Sequence, residues 1–88
     1  MIVRIDKTFE KDVKKIRDAG ILKELAHCIL ELESIEDTRQ IRNLKKIQDS
    51  KSFYRIKLKD YRIGVQIEGK YIDLIRFLHR KDVYKFFP

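Results

Sequence analysis

One cysteine, one proline, three glycines and no tryptophan occur among the 88 residues. Each shortage excludes something. Cys28 alone cannot close an internal disulfide, so the chain must fold without covalent staples, as domains in reducing compartments do. The proline comes last, at Pro88, and the glycines are Gly20, Gly64 and Gly69. No linker, repeat or low-complexity tract is visible, which points to regular elements joined by short connections. No apolar run approaches the roughly 18 residues of a membrane span, and no leader-like apolar stretch stands near the start. The expectation is a soluble, cytoplasmic protein with no membrane partner, formed as a single domain over residues 1–88. A domain this short buries only about 60–65% of its unfolded surface, so its core is thin.

Charge is what the chain has in quantity. Lys and Arg number 21 against 14 Asp and Glu, a formal net charge of +7. Such an excess on a small domain points to a polyanionic partner, most often nucleic acid. The alternative is an ordinary solvated basic surface. Where the cations sit decides between them.

Met1 to Ile5 has the β-branched bulk of a short strand. Phe9, Val13 and Ile16 then recur at helical spacing, with Thr8 or Asp6 as the cap and Gly20 placed to end the helix. A second helix is expected over Leu22–Leu32, with Leu22, Leu25, Ala26, Ile29 and Leu32 on one face. Ser34 to Asp37 starts one further helical turn. Leu44 and Ile47 read as apolar anchors in an irregular stretch, and residues 48–52 break the pattern. Phe53–Lys59, Tyr61–Glu68 and Tyr71–Leu78 are three strands joined by very short turns, an antiparallel meander. The N-terminal strand is expected on the free edge of the third. Residues 80–88 form one helical turn or an extended arm. The fold class is α+β: a short N-terminal strand and a helical hairpin packed on a three- to four-stranded antiparallel sheet.

Strand parity sorts the cations. Tyr54, Ile56 and Leu58 point one way; Arg55, Lys57 and Lys59 point the other. In the next strand Tyr61, Ile63, Val65 and Ile67 share a face opposite Arg62, Gly64 and Gln66. The apolar faces suit the helical hairpin, which leaves one open surface bearing Arg55, Lys57 and Arg62. The third strand is apolar on both sides, Ile72 and Leu74 against Ile75 and Phe77. His79, Arg80, Lys81 and Tyr84 follow it.

The segments Tyr54-Arg55-Ile56-Lys57-Leu58, Asp60-Tyr61-Arg62-Ile63 and His79-Arg80-Lys81-Asp82-Val83-Tyr84 together resemble the RelE/ParE toxin superfamily. Arg42-Asn43-Leu44-Lys45-Lys46-Ile47 is similar to the element that precedes the sheet there. The resemblance covers nearly the whole chain, and its C-terminal block is the specific part. It implies the toxin of a type II toxin–antitoxin system and, for the RelE branch, cleavage of messenger RNA in the ribosomal A site. By position it implies that Lys57, Arg62, Arg80 and Tyr84 are catalytic and that Arg55 contacts the RNA. The charged neighbours Lys59 and Lys81 join Arg55 as RNA-binding candidates.

Those residue types suit that chemistry. RNA can be cut by its own ribose: the 2′-hydroxyl loses a proton and attacks phosphorus, and the 5′-oxygen leaves. One proton must be taken, one given, and negative charge held on the phosphoryl oxygens. Arg62 and Arg80 have the planar fork that matches phosphate. Lys57 is the candidate base, and His79 or Arg80 the group that helps the leaving oxygen. Tyr84 can stack on a base. His27, Cys28 and His79 have no metal-ligand spacing, so neither metal nor other cofactor is expected. The bland alternatives are a solvated strand face for Arg55, Lys57 and Lys59, a strand-end hydrogen bond for His79, and tail packing for Tyr84. His27 and Cys28 read as structural.

The competing functions are a ParE-like DNA gyrase inhibitor and a catalytically inactive RNA-binding homologue. The expected partners are a cognate antitoxin, acidic where it meets the cations and folding on binding, and the ribosome with bound mRNA.

Overall fold

The computed structural model describes residues 1–88. The elements in chain order are β1 (Ile2–Ile5), α1 (Lys7–Lys14), α2 (Ala19–Ser34), a 3-10 turn (Thr38–Gln40), β2 (Leu44–Lys46), β3 (Phe53–Leu58), β4 (Tyr61–Glu68), β5 (Tyr71–His79) and α3 (Val83–Phe86). The sheet has five strands in the order β1-β5-β4-β3-β2. It is therefore larger than the expected three to four strands, and mixed. β1 does lie on the free edge of β5, but in parallel, from Ile2 opposite Tyr71 to Ile5 opposite Leu74. β2 is the strand the sequence did not announce. Three residues reading Leu-Lys-Lys are too few to display a period of two, yet they pair antiparallel with β3, Leu44 opposite Ile56.

The helix boundaries also differ from expectation. Gly20 does not end α1; it lies in the first turn of α2. Asp18 starts that helix, its carboxylate accepting from the N–H groups of Gly20 (2.9 Å) and Ile21 (3.3 Å). An aspartate at this position satisfies otherwise orphaned donors, and that local bond outweighs the C-cap preference of glycine. The inward face of α2 is Ile21, Leu25 and Leu32, with Ala26 exposed and Leu22 only half-buried. The turn expected from Ser34 begins later, with Asp37 as its cap in a capping box with Gln40.

One face of the sheet packs on the helices. Ile56, Leu58, Ile63, Val65, Ile72, Leu74 and Phe77 meet Phe9, Ile21, Leu25 and Leu32 there. Burying each such side chain contributes about 1.5–3 kcal/mol. β5 reaches this arrangement through a bulge. Gly64 pairs with Arg76 but the next residue, Val65, pairs with Leu74, so Ile75 is the extra residue. The bulge returns Phe77 to the side of Ile72 and Leu74, against the simple alternation that put it opposite them.

β1 stops opposite Leu74, leaving the outer edge of β5 unpaired beyond it. α1 closes that edge with side chains. Thr8 Oγ donates to the Ile75 carbonyl (2.7 Å), and Asp12 accepts from the Phe77 N–H (2.9 Å). Covering an edge in this way removes a template for unwanted strand pairing.

Candidate functional site

Register assembles the site. Lys57 stands directly opposite Arg62 across the β3–β4 pair, and Arg55 opposite Gly64. β2 places Lys45 opposite Arg55. Residues opposed in an antiparallel ladder share a face, with Cβ atoms about 4.5–5.5 Å apart. Lys45, Arg55, Lys57 and Arg62 thus form one patch on the face away from the helices. It contains two directly opposed like-charge pairs, an arrangement that weakens a sheet. No carboxylate relieves it: the ion pairs of the chain involve Arg4, His27, Arg39, Lys59, Arg76 and Arg80.

The arginines are held by backbone oxygens. Arg55 Nη1 donates to the carbonyl of Asn43 (2.8 Å), while its buried Nε has no partner. Asn43 has a left-handed backbone (φ 62), and its carbonyl also accepts the Lys57 N–H (3.2 Å). Arg62 Nη1 donates to the carbonyls of Lys59 and Tyr61, both at 2.8 Å. A carbonyl aims a guanidinium without cancelling its charge, so the positive potential stays available to an anion.

Arg80 follows β5 beside the turn between β3 and β4. Its N–H donates to the Asp60 carbonyl (2.7 Å), and its Nε lies 3.8 Å from the exposed Asp60 carboxylate. That turn, residues 59–60, lies between Lys57 near the end of β3 and Arg62 near the start of β4, so the three cations gather at one end of the sheet. Lys81 is exposed next to Arg80. Tyr84 projects from α3 with 62% of its surface exposed, free to stack.

Two expected members stand elsewhere. His79 is paired with Tyr61, so it faces the helices. Its ring meets Tyr61 edge-on at 5.6 Å, and Tyr61 in turn stacks on Phe77 of the core. His79 Nδ1 accepts the Lys81 N–H (3.2 Å). It lines a small pocket with Asp18 and Gly20 at the start of α2. Lys59 has a left-handed backbone in the turn and pairs with Glu24 of α2 at 3.2 Å. The structure therefore unites Lys57, Arg62 and Arg80, with Arg55 and Lys45 alongside, and separates His79 and Lys59 from them.

The face is also less open than parity suggested. The chain after β5 folds back across it. Val83 and Phe87 are buried there with Ile47, and Phe53, Ile75 and Leu78 pack around them. Phe53 meets Phe87 edge-on at 5.6 Å. Gly64 makes room: a Cβ there would lie 2.8 Å from the Phe87 ring. A glycine inside a strand marks a close approach, a signal present in the sequence. Lys45 and Asn43, by contrast, join the site only through the short β2 pairing.

A separate groove runs between α2 and the edge of β3. Ala26, Leu30 and Ile41 line it with Lys23, Arg42 and Lys57; its acids Glu24 and Glu31 are paired with Lys59 and His27. Cys28 lies in its wall, and burial pushes its thiol up from the ordinary range. No group of three or more His, Cys, Asp or Glu side chains is arranged to hold a metal ion. No helix is long and apolar enough to cross a membrane.

Residues 3–84 match the family described as ParE toxin of type II toxin-antitoxin system, parDE. Toxin RelE3 of Methanocaldococcus jannaschii is 36% identical over 89 residues, spanning 100% of both chains. A chain of the RelB–RelE antitoxin–toxin complex from Methanococcus jannaschii superposes with a TM-score of 0.81 at 34% identity, covering 97% of this chain and 99% of that one. A chain of the archaeal RelE–RelB complex from Pyrococcus horikoshii shares the fold, with a TM-score of 0.61 at 24% identity over 93% of this chain and 97% of that one.

Proposed function

Because the chain belongs to the ParE toxin family of type II toxin–antitoxin systems, and is the toxin of such a system, we propose that it is an endoribonuclease acting on messenger RNA in the ribosomal A site. The observation that carries this reading is the Lys57–Arg62 pair: two cations directly opposed on a sheet face, with no carboxylate between them. Opposed like charges weaken a sheet, and an anion lying between them would offset that cost. A phosphodiester lying along the pair is met by the Arg62 fork, and Arg80 reaches it from the adjoining turn. Lys57 takes the 2′-proton as the new O–P bond forms. Arg62 holds the charge on the phosphoryl oxygens, and Arg80 hydrogen-bonds the departing 5′-oxygen while solvent supplies its proton. Arg55 and Lys81 extend the strand contact on either side, and Tyr84 offers a ring on which a base stacks.

The partner that restrains this activity is a cognate antitoxin. The groove between α2 and β3 suits an amphipathic segment whose apolar side meets Ala26, Leu30 and Ile41. Its acids would meet Lys23, Arg42 and Lys57, whose charges are unpaired. A segment seated there reaches Lys57 itself, which joins binding to inhibition.

The second reading, a gyrase inhibitor, has the ParE family match in its favour. One experiment separates the two. Purified protein is added to a translating extract, and messenger 5′ ends are mapped by primer extension, with Arg80→Ala as control. New ends at ribosome-occupied codons, absent on naked RNA and lost in the variant, support the nuclease. No cleavage, together with blocked gyrase supercoiling, supports the second reading.

A further inference from the structure

The fold uses only part of the Arg62 guanidinium. Its Nη1 donates to the carbonyls of Lys59 and Tyr61. Its Nε and Nη2 have no protein partner, and neither is buried, since Arg55 Nε is the one buried side-chain nitrogen or oxygen left unpaired. Two donor atoms in the plane of the fork thus stay open, the geometry that a phosphate meets with its oxygens. Directly across the ladder stands Lys57, exposed and in no ion pair. The nearby acids are engaged elsewhere: Glu24 with Lys59, Glu31 with His27, and Asp60 at 3.8 Å from Arg80. An anion on Arg62 therefore rests beside an amine, and an amine is a nucleophile as well as a cation. The other strand lysines lack this setting. Lys45 also faces an arginine, but Arg55 turns its Nη1 to Asn43 and buries its Nε. Lys46 is opposed by Tyr54.

We propose that Lys57 is a site of acylation by acyl phosphates, the mixed anhydrides of a carboxylic acid and phosphoric acid, with Arg62 as the phosphate anchor. The phosphate end sits on Arg62 Nε and Nη2, which brings the acyl carbon to Lys57. The Nζ lone pair attacks that carbon, the bond from carbon to the bridging oxygen breaks, and inorganic phosphate departs with the electron pair. Of the two protons that the ammonium group gives up, one goes to the phosphate and one to water. The product is a neutral amide, whose nitrogen no longer takes a proton. Acylation thus removes the proposed base, and with it the repulsion between Lys57 and Arg62, in one step. An abundance of acyl phosphate would then hold the chain silent. That consequence rests on the nuclease reading; the acylation itself does not, and its test does not use cleavage.

The probe is acetyl phosphate. The full chain is incubated with it, digested, and read by mass spectrometry residue by residue. Lys46, Lys51 and Lys70, exposed and in no ion pair, are the internal references. Early in the reaction Lys57 is expected to carry roughly tenfold more acetyl than their mean, the low end of what a focused positive field adds to the local concentration of an anion. The excess should vanish in Arg62→Gln, and in the unsubstituted chain when excess inorganic phosphate competes at matched ionic strength. The competition keeps the test decisive even if Arg62→Gln fails to fold. The N-hydroxysuccinimide ester of acetic acid delivers the same acyl group without charge, and should not single out Lys57. Equal acetylation of Lys57 and the references by acetyl phosphate overturns the proposal. So does an excess that survives phosphate competition, or that the uncharged ester reproduces, since neither involves a phosphate held by Arg62. If Lys57 is acetylated preferentially but the chain cuts no message in the translating extract, the nuclease reading fails and the acylation site stands. Cleavage without preferential acetylation sinks the proposal alone.

Discussion

Asp12 of α1 and Arg76 of β5 form a two-pronged pair, Nε to Oδ2 at 2.8 Å and Nη2 to Oδ1 at 3.2 Å, where β1 no longer pairs with β5. Asp12 is only 6% exposed and also accepts the Phe77 N–H, so one carboxylate closes the strand edge and anchors the helix. Removing it leaves a guanidinium and a buried N–H without partners. Asp12→Ala is expected to cost about 3 kcal/mol, or on the order of 15 °C in Tm for a chain this short. Denaturant unfolding checks it. Arg76→Met, which keeps the stem and removes the charge, should cost less than half as much if the Phe77 N–H bond is the larger part.

Gly64 and Phe87 define the next test. Alanine at 64 would place its Cβ 2.8 Å from the ring. Gly64→Ala should therefore displace the C-terminal segment at a cost of about 1–3 kcal/mol and open it to carboxypeptidase. In a Phe87→Ala background the same substitution should be nearly neutral. A cost that is unchanged there would mean that the strand backbone, not the ring, requires glycine.

How far the sequence could be read follows from what each element depends on. The meander was legible because its first two strands alternate over six or more residues, its third is rich in apolar residues on both sides, and its turns are tight. Lys57 and Arg62 were legible because they sit in that alternation. β2 was not, since three residues have no readable period and only the partner strand makes them a strand. The β5 bulge was invisible for a related reason: register is settled between strands, and one unpaired residue moved Phe77 to the other face. His79 followed from the same shift and from Tyr61 opposite it, neither of which a motif records. Gly20 was misassigned because Asp18, two residues earlier, competes for the same backbone.

Acid should loosen the turn before β2. Arg39 holds the Asp37 carboxyl at about 2, below its ordinary 3.8, through side-chain and backbone hydrogen bonds. The folded state thus favours the carboxylate. Its contribution is complete above pH about 4 and is lost as pH falls through about 2. The pair is exposed, so the effect is small and screened by salt. Asp37→Asn keeps a capping oxygen but does not titrate. The denaturation midpoints of the two proteins should differ above pH about 4 and converge by about 2. A difference that persists at the lower pH would assign it to capping geometry.

The opposed pair Lys57 and Arg62 should show opposite effects on stability and activity. Like charges facing each other across a sheet cost about 0.2–1 kcal/mol, so Lys57→Gln, which keeps most of the stem, should raise the denaturation midpoint slightly. The same change removes the proposed base and should lower A-site cleavage about 100-fold or more. His79 should behave in the reverse manner. Its ring lies against Tyr61 on the helix side and its Nδ1 is engaged by Lys81, so His79→Ala should lower the midpoint and leave cleavage within about threefold once folded protein is matched. Primer extension on the same extract reads all three proteins. If His79→Ala abolishes cleavage at full stability, a proton must reach the leaving oxygen from the helix side of the sheet, and the roles given to Arg62 and Arg80 would have to be redrawn around it.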